Sequence, residues 1–196
     1  YCLDFRRSTK NIVTEVDEIN FVFDLASLLD FLEDYKEKRI NVAIQFEDLD
    51  KIIKIYKEHS LSNIFIKLPY YEEAAAKKLK ENNIHIALDT SGVGNGDYLE
   101  LLQTIDLVLL DIKHITKEGY INITQTDNLD KFHAFVEQLN KTNVEVWIRQ
   151  VIIPDVNDNE EYMINLSNFI KTHIKNVKKV EFLPFHTMGK EKYKKL

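Results

Sequence analysis

Five residues of the sequence could bind a charged ligand, and each lies at or near the end of an apolar run. They are Asp89, Asp111, Lys113, Arg149 and His186. Carboxylate oxygens bind small hard cations, whereas lysine and arginine bind carboxylates or phosphates through charge-assisted hydrogen bonds. A site that combined both kinds of residue would suit an anionic or zwitterionic ligand.

The same residues also have ordinary structural interpretations. The run Asp89-Thr90-Ser91-Gly92 suits a turn or a helix cap. Asp111 and Lys113 are two residues apart, so on a strand they would share a face and could form a salt bridge. Arg149 could hold a neighbouring carboxylate, and His186 could be a loop histidine. The other five histidines lack the spacing of metal ligands and are expected to be structural or surface residues: His59, His85, His114, His133 and His173.

Short apolar runs alternate with segments of helical periodicity along the chain. The runs are nearly all apolar, which is typical of parallel strands covered by helices. The sequence therefore predicts an α/β fold, either a partial barrel or a doubly wound sheet, with one domain over residues 1–196 and Trp147 in its core. The predicted strands are 40–46, 63–67, 84–88, 106–112, 143–153 and 178–183, and the predicted helices are 22–38, 47–59, 70–82, 97–104, 127–141 and 158–174.

Composition excludes several classes of protein. The chain has 196 residues, a formal net charge of −6 and 44% hydrophobic residues, which excludes wholesale disorder and disfavours sequence-independent binding of nucleic acid. No apolar stretch approaches the roughly 20 residues of a membrane span. A single cysteine, Cys2, fits a reducing compartment such as the cytoplasm. The chain begins at Tyr1 rather than Met, and we expect it to be cut from a longer protein at both ends.

Four blocks of the sequence together resemble a known family. They are ALDTSG (87–92), TIDLVLLDIKHI (104–115), VEVWIRQVIIPDVND (144–158) and VEFLPFHTMGKEKY (180–193). In order and spacing they are similar to the pyruvate formate-lyase activating enzymes, which are glycyl-radical activases of the radical S-adenosylmethionine superfamily. The resemblance implies a partial (β/α)6 TIM-like barrel of parallel strands with outer helices.

The resemblance also implies cofactors. Members hold a [4Fe-4S] cluster with three cysteines in a CxxxCxxC motif, and they bind S-adenosylmethionine and a monovalent cation. Cys2, preceded by Tyr1, matches the last cysteine, so the other cluster ligands are expected upstream of this chain. The stretch Gln45-Phe46-Glu47 matches the family's Gly-Gly-Glu without its glycines, and an alternative alignment places Leu61-Ser62-Asn63 there.

Individual roles follow from the same resemblance. S-adenosylmethionine is expected to contact Asp111, Ile112, Lys113 and His186. The monovalent cation is expected to contact Asp89, Thr90, Asp111 and the backbone of Leu109, and the target peptide is expected to contact Arg149.

Three functions are compatible with these sequence features. The first is an activase that installs a glycyl radical on a partner such as pyruvate formate-lyase, with flavodoxin or ferredoxin as electron donor. This chain alone is expected to be inactive, because it carries one cluster ligand, Cys2. The second is a degenerate, non-catalytic barrel that binds a ligand or a partner, which the missing glycines favour. The third is an unrelated barrel enzyme with a phosphorylated substrate, although the sequence has no glycine-rich phosphate loop.

Overall fold

The computed structural model describes residues 2–3, 18–22, 39–44, 49–59, 63–66, 72–94 and 96–185. The chain divides into two compact units, 1–83 and 84–196, and each is described by itself. Within the described residues, no helix is both long and apolar enough to cross a membrane.

The first unit contains a parallel sheet and two described helices. Its strands lie side by side in chain order, and every neighbouring pair is parallel. The first helix buries Leu49, Ile52, Ile53 and Ile55 on one face, as its apolar spacing predicts. The strands are β1 (Cys2–Leu3), β2 (Glu18–Val22), β3 (Arg39–Ile44) and β4 (Asn63–Ile66), and the helices are α1 (Leu49–His59) and α2 (Glu72–Glu81).

The second unit contains a second parallel sheet and four described helices. Its strand order is also sequential, so each strand is joined to the next by a helical connection, as parallel pairing requires. The strands are β5 (Ala87–Thr90), β6 (Leu107–Ile112), β7 (Glu145–Ile152) and β8 (Val177–Pro184). The helices are α3 (Leu99–Thr104), α4 (Lys117–Thr124), α5 (Leu129–Leu139) and α6 (Glu160–His173).

Two helices of the second unit begin at side-chain caps. The Thr116 hydroxyl accepts a hydrogen bond from the Gly119 N–H at 3.2 Å at the start of α4. At the start of α6, the Asn159 side-chain oxygen accepts from the Tyr162 N–H at 2.9 Å. Each cap satisfies a backbone donor that has no partner within the first helical turn. The caps therefore fix where each helix leaves its preceding loop.

The two faces of the second sheet differ in burial. Because side chains alternate along a strand, one face carries every second residue of β6 and β7. That face is at most 1% exposed and forms the core with apolar residues of α3, α5 and α6: Val108, Leu110, Ile112, Val146, Ile148 and Gln150. The opposite face is partly exposed and carries the charged residues predicted to bind a ligand.

The predicted α/β class with parallel strands is confirmed. Every predicted strand has an observed counterpart, but β5 covers 87–90 rather than 84–88. Three described elements were not predicted, namely β1, β2 and α4. The predicted helix 22–38 lies outside the described residues apart from its first residue, which belongs to β2, and the prediction of one domain over 1–196 stays a prediction.

Candidate functional site

Three of the predicted site residues lie on one face of the second sheet, near the carboxyl ends of its strands. Asp111 of β6 and Arg149 of β7 are direct Cα partners in the parallel ladder. Asp89 of β5 is the partner of Leu109, which precedes Asp111 by two residues and shares its face. The register therefore brings side chains that are distant in sequence to one place on the sheet.

The guanidinium of Arg149 bridges two carboxylates from neighbouring strands. Its Nε donates to Oδ1 of Asp111 at 2.7 Å, and its Nη2 donates to Oδ1 of Asp89. Nε and Nη2 lie on the same edge of the planar guanidinium, so the two acceptor oxygens must lie close together. The Arg149 side chain is 20% exposed and that of Asp111 is 24% exposed, whereas Asp89 is 53% exposed. The bridge thus runs from a half-buried position to an exposed one.

Burial and charge act in opposite directions on Arg149. Burial lowers its pKa, but the hydrogen bonds and negative charges of Asp89 and Asp111 more than offset this effect, so the pKa is raised. Arg149 is therefore a permanent positive charge at the site.

Lys113, the first residue after β6, is bonded to the same group of side chains. Its Nζ donates to Oδ2 of Asp111 at 3.1 Å, and the side chain is 33% exposed. The ordinary structural interpretations of Asp111, Lys113 and Arg149 are therefore realised, since these residues form ion pairs with one another. The four side chains carry two positive and two negative charges, and we refer to Asp89, Asp111, Lys113 and Arg149 as the charged cluster.

Of the other residues predicted to contact the cation or S-adenosylmethionine, Ile112 and Thr90 point their side chains away from this face, whereas Leu109 shares the face of Asp111. The side chain of Ile112 is 1% exposed and lies on the core face. Thr90 follows Asp89 in β5, so its hydroxyl points to the other side of the strand, where it accepts from the Gly92 N–H at 3.0 Å. Leu109 was expected to contribute only its backbone. The roles assigned to these residues stay predictions.

Several predicted residues cannot be placed in the site. His186 and the stretch 45–47 lie outside the described residues, as do 61 and 62 of the alternative alignment. Cys2 lies in β1, of which the structure describes the backbone. Within the described residues, no group of three His, Cys, Asp or Glu side chains is placed to hold a metal ion.

The prediction that Trp147 lies in the core is wrong. Val146 and Ile148 are fully buried, and Trp147 lies between them on the opposite, partly exposed face, which it shares with Arg149. There the Nζ of Lys179 lies 5.0 Å from the centroid of the Trp147 ring, in a cation–π contact. An apolar run cannot show which of its alternate residues faces the helices.

A buried polar network lies on the core side of the site, and the sequence did not reveal it. Gln150 is 1% exposed and Asn157 is fully buried. The Tyr162 hydroxyl donates to Oε1 of Gln150 at 3.1 Å, and the ring of Tyr162 lies 4.8 Å from that of His114. The strongest available signal was Gln150 itself, an amide within the apolar run Val146–Ile152.

Burial shifts the pKa of two residues in this network. It raises the pKa of Tyr162 to about 12, against a smaller opposing effect of a hydrogen bond with Asn157. It lowers the pKa of His114. The Nδ1 atom of His114 accepts from the Thr116 N–H at 3.2 Å, which matches a neutral ring.

The fold and the charged cluster define a class of protein, namely a parallel α/β domain with charged side chains gathered at the carboxyl ends of its strands, where the binding sites of such folds lie. Comparison with solved structures supports this class. A crystal structure of a domain of pyruvate-formate lyase-activating enzyme from Bacteroides vulgatus matches with a TM-score of 0.52, 19% identity, and coverage of 59% of this chain and 71% of that chain. This likeness concerns the fold, and it is consistent with the predicted partial barrel.

Sequence comparison identifies more particular relatives. Pyruvate formate-lyase-activating enzyme of Clostridium pasteurianum is 48% identical over 120 residues, which are 61% of this chain and 50% of that protein. The proteins of the same name from Staphylococcus epidermidis and Staphylococcus aureus are 36% and 38% identical over 138 residues, 67% of this chain and 54% of theirs. No protein-family model matches. The predicted resemblance to pyruvate formate-lyase activating enzymes is confirmed, and the chain spans about half the length of these relatives.

Proposed function

We propose that this protein acts as a glycyl-radical activating enzyme, which uses S-adenosylmethionine and a [4Fe-4S] cluster to install a glycyl radical on a partner such as pyruvate formate-lyase. The relatives named above support the proposal, since all carry the name of that activity. The charged cluster is the structural observation that carries it. Two cations and two carboxylates at one rim match the opposite charges of an amino-acid end group.

We assign separate roles to the residues of the charged cluster within the proposed site. Lys113 supplies a positive charge for the methionyl carboxylate, and Asp111 orients Lys113 through their 3.1 Å hydrogen bond. His186 and the backbone of Ile112 are proposed as further contacts to S-adenosylmethionine, which supplies the 5′-deoxyadenosyl radical that takes hydrogen from a target glycine. Arg149 is proposed to contact the target peptide.

A monovalent cation is proposed beside the ligand carboxylate. Its ligands would be Asp89, Asp111, Thr90 and the carbonyl oxygen of Leu109, which are the oxygen donors that hard cations prefer. Arg149 bonds to one oxygen of each carboxylate, which holds Asp89 and Asp111 at the same part of the sheet and supports this placement.

The residues of this chain do not by themselves fit a [4Fe-4S] cluster. Such a cluster takes several cysteine thiolates, and Cys2 is the only cysteine among 196 residues. A flavodoxin or ferredoxin is proposed as electron donor. The cytoplasm is proposed as the location, because a single cysteine suits a reducing compartment.

A second candidate is a non-catalytic barrel that binds a ligand or a partner. One observation favours it. Each cation of the charged cluster is already bonded to a carboxylate of the same protein, so the cluster is balanced without any ligand. These internal ion pairs would suffice if the four residues only stabilised the fold.

Isothermal titration with S-adenosylmethionine tests the proposed ligand site. In the proposed enzyme, Lys113→Ala should weaken binding about tenfold or more, since it removes a charge opposite a carboxylate. Lys178→Ala is the matched control, because Lys178 lies on β8 of the same sheet and pairs with Glu145 at 3.7 Å, at the amino-terminal start of β7. Equal affinity of wild type and Lys113→Ala would remove Lys113 from the site.

A further inference from the structure

Each of the two cations in the charged cluster is followed directly by a buried polar residue. His114 follows Lys113 and is 9% exposed, and Gln150 follows Arg149 and is 1% exposed. Arg149 and Gln150 are neighbours in β7, so their side chains point to opposite faces of the sheet. A fully buried amide on an otherwise apolar face is unfavourable unless it is hydrogen-bonded, so its partner is informative.

Both buried residues contact the same side chain, that of Tyr162 near the start of α6. The Tyr162 hydroxyl donates to Oε1 of Gln150 at 3.1 Å. The Tyr162 ring packs on the His114 ring with 4.8 Å between centroids and 38° between planes. Tyr162 thus contacts both Gln150 and His114, the residues that follow the two cations, on the core side of the sheet.

The backbone beyond Gln150 is held by the same network. The Asn157 amide donates to the Val151 carbonyl at 2.9 Å, and its side-chain oxygen accepts from the Ile153 N–H at 2.7 Å. The Gln150 amide donates to the same Val151 carbonyl at 2.9 Å. The carboxyl end of β7 is therefore fixed on the side away from the charged cluster.

We propose that Tyr162 is a positioning residue of the charged cluster, which sets the separation of Lys113 and Arg149 through His114 and Gln150. This inference rests on the proposed ligand site for its functional meaning. Binding groups must be held within about 0.5 Å of their productive positions, and packed, hydrogen-bonded residues behind the site supply that rigidity. Tyr162 meets this requirement for the ends of two adjacent strands at once.

The first test needs no ligand. Tyr162→Phe keeps the ring contact with His114 and removes the hydrogen bond to Gln150. In nitrogen-15 NMR spectra, the Nε–H signal of Arg149, assigned by its loss in Arg149→Lys, should shift and exchange with water about threefold faster or more, since one ordinary hydrogen bond accounts for such a factor. Tyr120→Phe is the control, because Tyr120 is 3% exposed in the same unit. An Arg149 signal unchanged in Tyr162→Phe would overturn the proposal.

The second test uses S-adenosylmethionine. Tyr162→Phe should weaken binding about threefold to tenfold in the wild-type background. In a Lys113→Ala/Arg149→Gln background it should have no further effect, although the loss of thermal stability should be the same in both. A weakening of equal size in both backgrounds would show that Tyr162 acts elsewhere and would overturn the proposal.

The two tests separate the proposal from the proposed function. If the wild-type chain does not bind S-adenosylmethionine, the ligand assignment fails for this chain, and the Arg149 signal alone decides the role of Tyr162. If Tyr162→Phe does not fold, Gln150→Met breaks the same hydrogen bond from the other side and should shift the same signal. No shift in a folded Gln150→Met protein would refute the proposal.

Discussion

Arg149 and Asp111 are register partners on adjacent parallel strands, and the Nε of Arg149 donates to Oδ1 of Asp111 at 2.7 Å. The two side chains therefore lie next to each other on the same face of the sheet. Asp89 extends it to a third strand through the same guanidinium. The cluster therefore ties β5, β6 and β7 together at the end where a ligand is proposed to bind.

Arg149→Lys should destabilise the protein although it keeps the charge. A lysine ammonium cannot present two parallel donors to two carboxylates, so at least one charge-assisted hydrogen bond is lost. We expect the free energy of unfolding to fall by about 1–2 kcal/mol, discounted for the exposed Asp89 end of the bridge. Denaturant unfolding measures this. The control Lys178→Ala breaks an exposed pair and should change the free energy by about 0.5 kcal/mol or less.

Gly119→Ala should be strongly destabilising, although alanine is the better helix former. A Cβ at Gly119 would lie 2.1 Å from Cε1 and Nδ1 of His114, so the ring or the helix must move. We expect a loss of about 2–4 kcal/mol in thermal or denaturant unfolding. Gly96→Ala is the control, because its nearest neighbouring atom would lie at 3.7 Å, an ordinary contact. Similar stability of the two variants would show that His114 moves aside freely.

His114 should make the protein less stable in mild acid. Burial lowers its pKa in the folded state, so between that value and the unfolded pKa of about 6.5 the unfolded chain binds more protons. The free energy of unfolding should therefore fall as pH decreases below about 6.5. In His114→Gln this part of the pH dependence should disappear. Parallel unfolding curves from pH 7.5 to 5 for both proteins would contradict the assignment.

The apolar runs predicted most strands correctly, because strands covered by helices on one face need apolar residues there. The error at β5 has a local cause. The Ile86 N–H is bonded to the Asp106 side chain at 2.9 Å rather than to a strand, so the ladder starts only at Ala87. The missed helix α4 contains Gly119 and β-branched residues, which are poor helix formers. Its Thr116 cap and the burial of Tyr120 stabilise it instead.

The candidate site was predictable in residue type and position, and the Asp111–Lys113 pair follows from its two-residue spacing, but the two carboxylates that Arg149 binds could not be named. Asp89, Asp111 and Arg149 could be assigned to strand ends from the sequence, since parallel α/β folds gather polar residues there. Their mutual contacts depend on the register between strands, which is set by non-local packing. The same limit hid the Tyr162 network, because Gln150 and Tyr162 are twelve residues apart on different elements.

The chain itself should fail to assemble a stable [4Fe-4S] cluster. Cys2 is its only cysteine, and a [4Fe-4S] cluster is held by several cysteine thiolates. Anaerobic reconstitution with iron and sulfide, followed by metal and sulfide analysis and electron paramagnetic resonance after reduction, tests this. The comparison protein is the same chain with whatever sequence its gene encodes upstream. Four irons per monomer in the 196-residue chain would contradict the prediction. A cluster in the extended protein alone would support the activase, whereas none in either would favour the non-catalytic barrel.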